Sequence, residues 1–182
     1  MIRRSLPAVF ALMFAAPLWA APQTLFNFVR PAEVVRVLTE DTRLPQSNAE
    51  QTAEGEVLRR VIFNPSPRPT LRLAPQTGAW DWSSAEAMSL RLQNGMSWAV
   101  TLHITVQSND GRTLVSRIDL PAGPAQTLLV PLQATSPLAR GMTAGPPMPM
   151  TVQGQRILLA SSAGAIDRSQ VVSVALSMDQ PR

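Results

Sequence analysis

A chain of 182 residues with no cysteine and a single histidine, His103, has no disulfide, thiol nucleophile or histidine-rich metal site to draw on. Its 16 basic residues, all arginine, stand against 12 acids for a net charge of +4. The arginines are scattered, with Arg59-Arg60 the one adjacent pair beyond Arg3-Arg4, so the charge gives no argument for nucleic acid.

The first 20 residues read as a signal peptide. Arg3 and Arg4 give a positive start, Ala8 to Ala20 is an apolar stretch broken by Pro17, and small residues close it. The stretch falls short of the roughly 20 apolar residues of a spanning helix. Cleavage is expected after Ala20, giving a periplasmic or secreted protein with no membrane contact after processing. Removing 20 of 182 residues leaves 162, enough for one domain with a sizeable core. Residues 21–56 are the least patterned and are expected to wrap the domain, with Ala49 to Val57 as a short turn of helix. The domain proper is expected over residues 57–182.

From there, period-2 alternation dominates. Pro65, Pro67 and Pro69 exclude a central strand, and a short run follows at Leu71–Leu73. Met88, Leu90 and Leu92 alternate with Ser89, Arg91 and Gln93. Trp98, Val100, Leu102, Ile104 and Val106 alternate with Ala99, Thr101, His103, Thr105 and Gln107. Runs at Leu114–Leu120 and Leu128–Leu132 fit the same scheme. Val172, Val174, Leu176 and Met178 alternate with Ser173, Ala175 and Ser177. Each run predicts an antiparallel strand with one apolar face inward. Asn94-Gly95, Asn109-Asp110-Gly111 and Pro121-Ala122-Gly123-Pro124 supply turns between runs, and Gly141 to Pro149 predicts a long irregular loop. The fold class is all-β: an antiparallel β-sandwich.

The chemistry-bearing residues are few. A serine-protease-like triad would have to use His103, which sits mid-strand on a polar face with no nucleophile elbow nearby. Asp81, Asp110, Asp119 and Asp167 are available for glycoside chemistry, but no spacing pairs them, so no catalytic residue, metal ligand or cofactor is assigned. The one concentrated feature is Trp80-Asp81-Trp82-Ser83. Indole faces stack on sugar rings and nearby polar groups take the hydroxyls. The candidate carbohydrate-binding residues are therefore Trp80, Asp81, Trp82 and Asn94, with Trp80 the more exposed platform, Trp82 the core anchor, and Trp98 a further face. Core packing by the tryptophans and turn capping by Asp81 is the competing assignment. Arg72 and Arg91 lie on the polar sides of their strands.

The order Gly78-Ala79-Trp80-Asp81-Trp82-Ser83, Gln93-Asn94, Asn109-Asp110-Gly111, Leu120-Pro121-Ala122-Gly123 and Gln126 to Leu132 resembles the N-terminal module of β-agarase-like glycoside hydrolases. Gly141-Met142, Gly145-Pro146-Pro147 and Ile166-Asp167 with Val171 extend the likeness over Phe26 to Pro181. The resemblance implies a jelly-roll, galactose-binding-like sandwich that precedes a separate barrel holding the catalytic carboxylates. Here Arg182 falls where that barrel would lie ahead, which puts the module's closing strand in question too. It implies a non-catalytic module whose partner is a polysaccharide or oligosaccharide, a galactan-type chain being the first class to consider. A purely structural sandwich and a fragment of a glycoside hydrolase are the alternatives.

Overall fold

The computed structural model describes residues 26–28, 30–45, 49–51, 57–135, 150–152 and 155–179. The signal-like stretch and the Gly141–Pro149 segment lie outside them. In chain order the strands are β1 (Leu38–Glu40), β2 (Thr42–Arg43), β3 (Ala49–Gln51), β4 (Val57–Arg59), β5 (Ile62–Phe63), β6 (Thr70–Leu73) and β7 (Ala87–Leu92). They continue as β8 (Val100–Ser108), β9 (Thr113–Leu120), β10 (Gln126–Pro131), β11 (Met150–Val152), β12 (Gln155–Leu159), β13 (Ser161–Gly164) and β14 (Val171–Met178). One helical turn, Pro31–Val34, precedes them, and a 3-10 turn, Arg168–Gln170, precedes β14.

Two sheets form a β-sandwich. A six-stranded sheet runs β1-β6-β14-β8-β9-β13, and a four-stranded sheet runs β11-β12-β10-β7. Alternation in the sequence becomes alternation in burial: in β9, Leu114, Ser116, Ile118 and Leu120 are buried and their neighbours exposed. The core joins both sheets, with Leu71, Ile104 and Leu114 from one and Leu128 and Leu158 from the other all fully buried. Each such side chain contributes at most about 1.5–3 kcal/mol of transfer free energy.

Pairing is antiparallel except between β10 and β12, which run parallel. A parallel neighbour cannot be reached by a tight turn, and residues 132–154, β11 among them, separate the two strands in the chain. It then changes sheets at Ala160, whose N–H still bonds Leu129 O at 2.8 Å. The corner is held by a buried hydroxyl pair, Ser116 Oγ to Ser162 Oγ at 2.7 Å, with Ser162 Oγ also donating to Pro131 O.

The structure departs from the sequence pattern at four places. Ala49–Gln51 is extended and pairs with Val57–Arg59, where a helical turn was expected. Residues 38–40, in the segment expected to wrap the domain, add an edge strand to the six-stranded sheet. In β14 a register shift between Val171 and Ser173 buries both and leaves Val172 half-buried, because a bulge inserts one residue and breaks the period. Trp98 lies before β8 begins and is 52% exposed rather than inward.

Candidate functional site

Three of the singled-out motifs, far apart in the chain, meet at one end of the sandwich. The Trp80 backbone bridges Val171 in both directions, N to O at 2.8 Å and O from N at 3.0 Å. Trp82 N donates to Arg168 O at 2.7 Å, and Arg168 Nη1 returns to Ala85 O at 2.8 Å. The Asn109 turn joins through Asn109 N to Gln170 O, and through Asp167 N to Ser108 Oγ at 3.2 Å.

Within this cluster the indoles of Trp80 and Trp82 stack at 5.6 Å between centroids, with 17° between planes. Trp82 is 4% exposed and belongs to the core; Trp80 is half-buried and packs against it. Trp82 Nε1 is buried with no hydrogen-bond partner among the described residues, so packing holds the ring without help from its polar atom.

The carboxylates here shape turns. Asp81 is exposed, and its Oδ1 accepts from Ser83 N at 2.9 Å and Ser83 Oγ at 2.6 Å. The Ser83 hydroxyl and N–H hold the Asp81 carboxyl below its usual range. Asp110 closes the β8–β9 hairpin: Oδ1 takes Ser108 Oγ and Arg112 N, and Oδ2 takes Arg112 Nε. The Ser108 hydroxyl first, then the Arg112 side chain and N–H, lower its pKa to about 2. Asp167 caps the 3-10 turn through Ser169 N and Oγ. Asp81 and Asp110, held ionised by these bonds, are poorly suited to act as general acids near neutral pH.

Asn94 is elsewhere. It is buried, donates from Nδ2 to Trp98 O at 2.8 Å and Leu120 O at 3.0 Å, and accepts from Met96 N at 2.9 Å. It builds the β7–β8 loop, at the other end of β8 from the stacked tryptophans. Trp98 therefore cannot add a face to Trp80. Val171, which bridges Trp80, is in register with Ser108, the last residue of β8, and Trp98 precedes Val100, the first. Nine strand residues span about 27 Å.

His103 bonds Asp179 Oδ1 at 2.8 Å on the outward face. Arg72 is exposed there, and Arg91 Nη1 reaches Thr127 Oγ1 at 3.4 Å on the other sheet. Among the described residues no group of three or more His, Asp or Glu could hold a metal ion. No helix among them is long and apolar enough to cross a membrane. A shallow depression of about 670 Å³, lined by Val34, Val37, Leu44, Pro45 and Ile62 among others, lies at the N-terminal strands; its arginines are engaged locally, Arg43 by Asn64 and Arg59 by Pro45 O.

Residues 46–180 match the agarase CBM-like domain family, CBM denoting a carbohydrate-binding module. No curated protein matches the sequence. Among solved structures, an exo-beta-agarase aligns with TM-score 0.63 at 16% identity, over 86% of this chain and 23% of that one. An agarase, AgWH50C, aligns at 0.59 and 16%, over 85% and 22%. PfGH50B aligns at 0.58 and 16%, over 79% and 20%. At this identity the likeness establishes the fold, and the chain spans about a fifth of the length of these structures.

Proposed function

Because the chain belongs to the agarase CBM-like domain family, we propose that it is an exported, non-catalytic module that holds a saccharide chain while cleavage is left to other protein. The family match over residues 46–180 carries this reading. A galactan-type ligand is suggested by the agarases among the structures that share the fold. Of the residues singled out in the sequence, Trp80 retains ring area for stacking, and Asp81 keeps an ionised, exposed carboxylate beside it for sugar hydroxyls. Trp82 and Asn94 support the two loops from within. A second reading, a sandwich that only packs, draws on the Trp80–Trp82 stack and on Asp81's turn-capping bonds.

Native gel electrophoresis with agarose, carrageenan or a neutral glucan in the gel separates the two. Retardation of the purified protein by a galactan, reduced in Trp80→Ala, supports the proposal; unaltered mobility in every polysaccharide supports the packing role. Reducing ends released by the pure protein from agarose would overturn the non-catalytic part. Intact mass of periplasmic or secreted material tests export: a mass beginning at Ala21 is expected, and one retaining Met1 would refute it.

A further inference from the structure

The loop of residues 93–99, between β7 and β8, carries the one aromatic residue among the exposed large hydrophobic side chains of the described residues. Trp98 is 52% exposed and Met96 45%. The loop is fixed from below: the buried Asn94 amide holds Trp98 O, Leu120 O and Met96 N at once. All three bonds go to backbone, so the loop's shape is set without using the indole, and the ring is left presented to solvent. An exposed indole forfeits the burial that normally repays an aromatic residue. That loss at a rigid position is what a preformed binding platform requires.

We propose that this loop is a carbohydrate-binding site in which the Trp98 indole stacks on a sugar ring, at the opposite end of β8 from Trp80. The inference rests on the saccharide-binding reading of the family. The size of the patch favours a sugar over a protein partner. One indole and one thioether match a single pyranose, whereas a stable protein interface takes about 800 Å² from each side. The surroundings favour it too. Three residues on, about 10 Å along the chain, Thr101 Oγ1 bonds Asp119 Oδ1 at 2.6 Å, and the next outward residue of β8, His103, bonds Asp179 and lies in register with Arg117. The half-buried Thr101 hydroxyl and the exposed Asp119 carboxylate and Arg117 guanidinium suit the hydroxyls of neighbouring sugar units.

Titration of the full mature protein with neoagarohexaose by calorimetry, with tryptophan fluorescence in parallel, tests the site. Trp98→Ala is expected to weaken binding tenfold or more with a melting temperature near that of the wild type, and Trp98→Phe to recover part of the loss. Full affinity in Trp98→Ala with loss in Trp80→Ala would overturn this site and leave the saccharide-binding reading intact. No binding by the wild type to agaro-, carrageeno- or gluco-oligosaccharides at millimolar concentration would overturn both. Self-association of the wild type that Trp98→Ala abolishes, with glycan affinity unchanged, would make the loop a protein contact and refute the proposal.

Discussion

Trp82 and Trp80 differ by two positions in the chain and by their whole energetic role. Trp82 is buried in the common core, so truncation leaves a cavity as well as losing transfer free energy. Trp82→Ala is expected to cost about 3–5 kcal/mol in urea denaturation, and Trp80→Ala markedly less. Equal losses would show that the stacked pair is one structural unit. Among the described glycines, Gly164 has the least room for a side chain. It sits at φ +99, and an added Cβ would stand 2.3 Å from Thr113 O, a backbone atom that cannot swing aside. Gly164→Ala should cost about 1–3 kcal/mol from strain alone, seen as a lower midpoint with an unchanged denaturant slope. The Trp82 contrast was legible from its position, nearer than Trp80 to the strand that follows. Gly164 was not, because its constraint comes from β9, some fifty residues away in the chain.

At the scale of elements, the β8–β9 hairpin is closed by Asp110, which gathers Ser108 and Arg112 around one carboxylate. Its pKa is lowered from 3.8 to about 2, so the turn's contribution is complete above the unfolded value and is lost as the pH falls through the folded one. Acid titration between about pH 4 and pH 2 should therefore destabilise the wild type more steeply than Asp110→Asn, which lacks the charge throughout. Parallel curves in the two proteins would contradict the assignment. Asn109-Asp110-Gly111 announced this turn in the sequence because its chemistry is local: Gly111 takes φ +82 and Asp110 bonds two residues either side. The β7–β8 loop was legible only in part. Asn94-Gly95 marked a turn, but period-2 reading ran β8 back to Trp98, since alternation cannot show where a buried amide ends the strand.

Across the whole molecule, the sandwich recruits residues ahead of the family-matched region. Phe26, Phe28, Val37 and Leu44 pack against the core, and β1 covers the edge of β6. Removing residues 1–45 should expose that edge and lose about 3 kcal/mol or more of apolar burial. The expected signs are a lower melting temperature and larger species in size-exclusion chromatography; an unchanged monomer of unchanged stability would show that the N-terminal strands contribute nothing. Inward and outward faces of β8, β9 and β10, the hairpin turn and the all-β class followed from the sequence by itself, because alternation and turn residues are properties of neighbours in the chain. The meeting of the Trp80, Asn109 and Asp167 segments, the parallel β10–β12 pair, the bulge in β14 and the outward Trp98 were decided by the tertiary structure. Each depends on side-chain or cross-strand contacts, most of them between residues tens of positions apart, whose free energy exceeds local preference and leaves no periodic trace.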